Sequence, residues 1–499
     1  MFVRSLGVFF CLCMAAQLAM ADVDMLRLQQ LLEASKQLES ANQSSQTSHQ
    51  DDVASHVVST SDTPMPTRVL IDVRSTHSDG KHDMETLSHW AKERAIDSLA
   101  FTEHDRYSIR FGIDPMPSIL GYAMQHPSLY VTGLDAFFND LNHIRARHPD
   151  MQYFAGTEST PGYTWSGIPF RDLTLHNAER HLITLGIETP AQVKGLSSYD
   201  LRHGYGSRTL SLVFWCVFIF VLVIYFLRRR KRGVALLLMA SLIAFLTTWL
   251  MKPKVDADVD FIHTAHAQKL FVIWTHPGTL SGVREGPMGI QLDTPPYSKR
   301  VFQDPTADAF TAVYGDTDSN SVPGGLWDRY MMDYLHGYHQ KPIWAVAAGD
   351  YHEQGMAGEY LGNFPMDIWS KSAKPEDVLT AMRQGRMAAW GMGKNDNIAL
   401  SALYLEDADG QKIYPGDEVH ARLPIRAVMG VLQKVEGKGK TQQLESQWVI
   451  DGHVVGTQFL AMGQAQSIML PLRQGAHVIR AQVSQSVRMV ANPFLVHVQ

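Results

Sequence analysis

Apolar and polar positions follow three rhythms along the 499-residue chain. Over 67–208 and 253–397, short apolar runs such as RVLIDV, SLAFT, KLFVIWT and PIWAVAAGD alternate with stretches of helical period, for example Met84 to Arg94. Strand–helix alternation predicts an α/β sheet or barrel, with ligands gathered beyond the C-terminal ends of its strands. From about Ile398 the runs become strands alone, ALYLED, RLPIRAVMGVL, SQWVIDGHVVGTQFL and HVIRAQVSQ. Turns such as Asp409-Gly410, Pro415-Gly416 and Asp451-Gly452 separate them, which predicts a β-sandwich over 398–499.

The third rhythm is unbroken. Leu210 to Leu227 and Val234 to Met251 carry no charge, and each has 18 residues. That is about 27 Å of helix, close to the hydrocarbon thickness of a bilayer. Arg228, Arg229, Arg230, Lys231, Arg232 and Gly233 join them. A transmembrane hairpin over 209–252 is predicted, with its basic tip in the cytoplasm and both flanks outside. The opening MFVRSLGVFFCLCMAAQLAMA, with Arg4 and an Ala19-Met20-Ala21 cleavage site, reads as a signal peptide at 1–21. Residues 22–42 have a helical pattern and 43–66 the composition of a flexible linker. The expected placement is the inner membrane, with the lipid bilayer as partner through 210–251 and the soluble parts in the periplasm.

A formal net charge of −6 argues against nucleic acid as a partner. Cys11, Cys13 and Cys216 all fall in apolar stretches, which leaves no disulfide framework or cysteine-rich zinc site for a soluble part. With 22 histidines, any metal would be held by imidazole and oxygen.

The chemistry collects at the strand ends. SLAFT is followed by Glu103-His104-Asp105, and YFAGT by Glu158. Glu179-Arg180-His181 opens LITLGI, FVIWT is followed by His276-Pro277-Gly278, and WAVAAG by Asp350-Tyr351-His352. One histidine at a strand end is ordinarily a hydrogen-bonded loop residue. Five such groups in series, on one side of one sheet, point to a polynuclear metal site.

The order STHSDG, LAFTEHD, AGTES, RHLITLG, WTHPG, AGDYH, with the late EDVLTAMRQGRMAAW, resembles the PHP (polymerase and histidinol phosphatase) superfamily of metal-dependent hydrolases. The resemblance covers 68 to about 390, interrupted by the hairpin. It implies a distorted (β/α)7 barrel with a cluster of divalent ions (Zn, Mn or Fe), two in number and three at most. By the same resemblance, Glu158, His181 and His276 would hold one ion, and Asp79, His104 and His352 a second. A third position ordinarily uses two leading histidines with a bridging Glu158 and Asp350, but here the leading pair is Asp72 and Arg74. Asp72 can still give an oxygen; Arg74 cannot ligate, and sets a fixed positive charge suited to gripping a phosphate or carboxylate. Arg74, Glu158 and His352 are expected to act in the reaction, and Arg106 and Arg110 to face the same opening.

The function so implied is a phosphoesterase acting on a small, anionic substrate through metal-activated hydroxide. The alternatives are an ester, amide or carbamate hydrolase of the same fold, or an inactive ligand-binding sensor. Asp316 to Asn320 begins like a calcium loop but lacks the later Gly and Glu, and Gly439-Lys440-Thr441 lacks the first glycine of a phosphate loop.

Overall fold

The computed structural model describes residues 56–58 and 64–499, apart from 113–118, 169, 198–207, 251–255, 279–281, 287–288, 304–305, 315–319, 357–358, 435–442 and 486. The signal peptide, the helix of 22–42 and both discarded loop motifs fall wholly or mainly outside the described residues. All described residues belong to one compact unit, Val53–Gln499.

Seven strands lie side by side in chain order: β1 (Thr67–Val73), β2 (Ser98–His104), β3 (Gln152–Ser159), β4 (Leu182–Ile187), β5 (Phe271–Trp274), β6 (Ala309–Val313) and β7 (Trp344–Ala347). Their apolar side chains are buried on both faces, as the continuous runs VLI, LAF, FVIW and WAVA require. Pairing is parallel except around β4, which runs antiparallel to both β3 and β5. Just past β7, Tyr351 bridges to Val73, so the first and last strands meet. Helices cover the outside. Met84–Glu93 starts at Asp83, whose carboxylate accepts from the Thr86 N–H at 2.8 Å, and it buries Leu87 and Ala91. Pro375–Arg383 begins with proline in its first turn and buries Val378, Leu379 and Met382.

The expected architecture, a barrel interrupted by a membrane hairpin and followed by a separate sandwich, needs correction at three points. First, the sheet does not stop at the seven strands. Met366–Ile368 pairs with β1, Met387–Gly391 pairs with Met366–Ile368, and Arg488–Ala491 continues the row into the C-terminal strands. The result is one mixed sheet of 15 strands. A five-stranded sheet packs over its C-terminal part and encloses Trp390, Trp448, Leu403, Met429 and Phe494. Second, within the expected linker, His56–Val58 forms a strand of that smaller sheet, antiparallel to Gln464–Met469.

Third, the expected membrane hairpin is not supported. Helices do occupy Arg208–Arg228 and Arg232–Leu250 and pack on each other. Their described side chains run over 213–228 and 232–243. Among the described residues no helix is long and apolar enough to cross a membrane, where a span needs about 20 apolar residues. The inner-membrane placement expected from the hairpin together with the signal peptide therefore lacks the span it needs among the described residues.

Insertions after β2, β3 and β5 build a roof at one rim. Strands Thr164–Ser166, Thr174–His176, Gln291–Thr294 and Gly282–Glu285 form a four-stranded sheet. Tyr163, Trp165, Leu173 and Leu175 form its apolar cluster, with Ile109 and Phe111 of a neighbouring hairpin packed against them.

Candidate metal centre

The strand ends meet at the rim beneath that roof. Asp72 closes β1, His104 closes β2, Glu158 lies at the end of β3, and His276, Asp350 and Tyr351 follow β5 and β7. His181 precedes its strand, yet reaches the same rim because β4 runs backwards. One antiparallel strand thus turns an N-terminal residue into a member of the cluster.

Local backbone aims these side chains. The β1–β2 ladder shifts register between Leu70 and Val73, and within this bulge Asp72 has φ +65°. His276 (φ +52°) and Asp350 (φ +43°) share the left-handed region. Such conformations cost of order 1–3 kcal/mol each for residues other than glycine, and they concentrate where function needs the geometry. The Ser75–Gly80 loop is fixed by Glu103, which is wholly buried. Its carboxylate accepts from the Ser75 N–H (2.9 Å) and hydroxyl (2.6 Å) and from the Ser78 hydroxyl (2.5 Å). At position 80 a Cβ would lie 2.2 Å from the Arg74 carbonyl oxygen, so only glycine fits.

Two groups of ligand-type atoms result. The first is Asp79, His104 and His352; the second is Asp72, Glu158, His276 and Asp350, with ligand atoms in each within 4.8 Å of one another. In the first, Asp79 Oδ2 lies 3.3 Å from His352 Nε2 and 3.5 Å from His104 Nε2. The other His352 nitrogen, Nδ1, is 2.6 Å from the Asp350 carbonyl oxygen. Nε2 faces the Asp79 carboxylate, whose bond raises the His352 imidazole above its ordinary value against the effect of burial, so a metal at Nε2 would displace that proton. The composition of the second group differs from the sequence expectation. His276 and Glu158 are in it, joined by Asp72 and Asp350. His181 instead places Nδ1 3.1 Å from Glu158 Oε1.

Arg74 sits among them and is wholly buried. Its guanidinium is 2.8 Å from Asp350 Oδ1, 3.5 Å from Asp72 Oδ1, 3.7 Å from Asp79 Oδ1, and against Glu158 Oε2. Its charge is thus already shared among four carboxylates. Arg106 is likewise engaged, with Asp105 at 3.6 Å and the Tyr130 hydroxyl at 2.7 Å.

Apart from the raised His352, the protonation states suit cation binding. Burial, reinforced by Arg74, holds His104 well below the usual imidazole range and pushes His181 down to about 4, so both are neutral at pH 7. Burial opposes ionisation of Asp79, Asp72 and Asp350. Hydrogen bonding from His352 in the case of Asp79, and the Arg74 charge for the other two, outweigh it, and all three stay lowered. Neutral imidazole and ionised carboxylate are the forms that ligate. The fit to a metal also shows in what is left unpaired. His181 Nε2 and His276 Nδ1 are buried without a hydrogen-bond partner, a costly state that a bound cation would relieve.

Two residues at this rim escape the sequence reading. Tyr314, one residue past β6, packs its ring 4.0 Å from that of His276 and points its hydroxyl at Asp350 and Glu359. AFTAV followed by Tyr314 was a readable signal of the same kind as the other strand ends. Glu359 lies in a loop with no periodicity to announce it. A cavity of about 1260 Å³ lined by Arg145, Gln152, Lys341 and Arg383 lies at the opposite strand ends, and none of the cluster residues lines it.

No family model and no curated protein matches the chain. Solved structures similar to it include a two-domain protein containing a predicted PHP-like metal-dependent phosphoesterase from Bacteroides vulgatus ATCC 8482. It has 10% identity and a TM-score of 0.36, over 90% of this chain and 99% of that one. A proposed metal-dependent phosphoesterase from Bifidobacterium adolescentis ATCC 15703 has 12% identity and a TM-score of 0.27, over 58% and 90%. An amidohydrolase from Chromobacterium violaceum has 14% identity and a TM-score of 0.21, over 57% and 78%. At these TM-scores the similarities carry no argument about the chemistry of this chain.

Proposed function

We propose that the chain is a metal-dependent hydrolase, with phosphoesters as the first substrate class and carboxylic esters, amides or carbamates as the second. The observation that supports this is the convergence of four carboxylates and four imidazoles, carried by separate strands, on one rim with their ligand atoms partly unpaired. Asp72, Asp79, Glu158 and Asp350 oppose the single charge of Arg74, so the bare cluster repels an anion. A divalent ion held by Asp79, His104 and His352 would supply Lewis acidity and make water a nucleophile near neutral pH. Asp79 and His352 are the more open members of this set, with side chains 23% and 18% exposed, and they border the approach from solvent. His104 and Glu158 close the inner side. Tyr314 and Glu359 hold a proton beside Asp350, within the same rim.

The rival reading, a ligand-binding domain without catalysis, draws on Arg74, because a guanidinium among carboxylates offsets part of the cluster's charge without a metal. Metal analysis of the purified full chain, with turnover of phosphodiester, phosphomonoester, carboxylic ester and amide substrates before and after chelation, separates the two. The enzyme reading requires bound divalent metal and a chelator-sensitive activity. Metal without turnover on any class would leave the binding reading.

A further inference from the structure

We infer that Arg74 is a resident cation of the cluster. Its guanidinium fills the place a second metal would take among Asp72, Glu158 and Asp350, so the chain binds one divalent ion, at Asp79, His104 and His352. This inference rests on the metal-dependent reading and narrows it to a one-metal site.

Space comes first. The ligand atoms of Asp72, Glu158, His276 and Asp350 lie within 4.8 Å of one another, and an ion ligated by such atoms sits about 2.0–2.2 Å from each. The Arg74 guanidinium is already 2.8 Å from Asp350 and 3.5 Å from Asp72, and against Glu158. An ion at the centre of that group would overlap it. None of the three guanidinium nitrogens has an aligned hydrogen-bond acceptor. Arg74 meets these carboxylates as a shared ion-pair partner, as an ion would.

Arg74 has no easy way to yield the place. Arginine keeps its proton at any pH a protein survives, so it cannot become a neutral neighbour as lysine can. The main chain is held on both sides. The Arg74 N–H donates to the Tyr351 carbonyl at 3.0 Å, the Ser75 N–H donates to Glu103 at 2.9 Å, and Gly80 presses against the Arg74 carbonyl. Swinging the side chain out would leave three carboxylates facing one another without a counter-charge. Asp72, two residues earlier, is turned onto the same group by its bulge, and its Oδ2 accepts from the Asp350 N–H at 2.7 Å. The two residues at the unusual positions thus form one device, with Arg74 supplying the charge and Asp72 the brace.

The first group lacks such an occupant. Its nearest cationic side chain is Arg74, which reaches only Oδ1 of Asp79, at 3.7 Å. Oδ2 of Asp79 and the Nε2 atoms of His104 and His352 face one another.

Metal content after saturation with Mn(II) and removal of excess tests this on the full chain. Wild type, Arg74→Gln and the double variant Asp72→His with Arg74→His are compared, with circular dichroism as the check on folding. One ion per chain is expected in wild type and two in each variant. By electron paramagnetic resonance, wild type should show isolated Mn(II) and the variants a spin-coupled pair. Two ions in wild type would overturn the one-metal site and leave the hydrolase reading standing. No ion in wild type would overturn both. A folded Arg74→Gln protein that still binds one ion would overturn the role given to Arg74. If that variant does not fold, the double-histidine protein decides, because its added imidazoles replace the lost charge contacts with ligands.

Discussion

The Tyr314 hydroxyl lies 2.7 Å from Glu359 Oε1 and, on its other side, 3.3 Å from Asp350 Oδ2. One hydroxyl proton cannot serve two ionised carboxylates. The chain resolves this if Glu359 keeps its own proton and donates to the Tyr314 oxygen, while Tyr314 donates to Asp350. In support, burial pushes the Glu359 carboxyl up to about 7, with the charges of Asp350 and Asp72 adding to it. A raised carboxyl binds its proton more tightly when folded. Its contribution to stability is therefore complete below the unfolded value of 4.5 and is lost as pH rises through about 7. Urea unfolding of metal-stripped protein should show wild type losing stability relative to Glu359→Gln across that window. Parallel pH profiles for the two proteins would exclude the protonated Glu359.

Glu103 touches neither group of ligand atoms directly, yet it holds the loop that carries Arg74 and Asp79. Glu103→Gln keeps the shape but weakens acceptance from Ser75 and Ser78. Metal affinity should fall by about 10–100-fold, the usual cost of losing an outer partner of a ligand. Competitive titration with a metal indicator measures it, and an unchanged affinity would mean the loop holds itself.

Metal should stabilise the fold through its ligands. At a free concentration about 100 times Kd, a ligand specific for the native state adds about 2.7 kcal/mol. Thermal unfolding with metal and with chelator should differ accordingly for wild type. The difference should vanish in His104→Ala, whose imidazole belongs to the first group. A shift that survives in that variant would place the stabilising ion elsewhere.

Outside the cluster, Arg480 Nε and Nη2 donate to Asp328 Oδ1 and Oδ2 at 2.7 and 2.9 Å. Both side chains are buried, at 1% and 4% exposed. The pair ties strand Gly475–Ser484 to helix Leu326–Leu335. Asp328→Ala should destabilise by about 3–5 kcal/mol, because it strands a buried charge. Asp328→Leu with Arg480→Met should recover much of that loss in urea unfolding. Additive losses in the double variant would show that the two residues do not act as a pair.

Much of the rim was legible in the sequence because a strand that ends in His, Asp or Glu announces itself. The grouping of Asp79, His104 and His352 came from the family resemblance instead, since Asp79 lies in the Ser75–Gly80 loop and not at a strand end. The second group was less readable. The bulge that turns Asp72 inward depends on pairing with β2, which no local pattern encodes, and the placing of His181 depends on the direction of β4. Arg74 was visible as an oddity, but its burial among four carboxylates is a product of tertiary packing. The expected membrane span drew on the two apolar runs and the basic residues between them, and among the described residues no helix is long and apolar enough to bear it. The continuity of the sheet was illegible because the short strands Met366–Ile368 and Met387–Gly391 hold only three and five residues.

That continuity bears on how the molecule can be taken apart. Removing residues 398–499 would not release a module at a hinge. It would uncover the edge of Met387–Gly391, whose five residues are all buried, and turn an interior seam into an open, apolar rim that invites pairing with another chain. Fragments cut there should therefore be recovered as aggregates, and any lineage that lost the C-terminal strands would first have had to evolve a new border for the sheet.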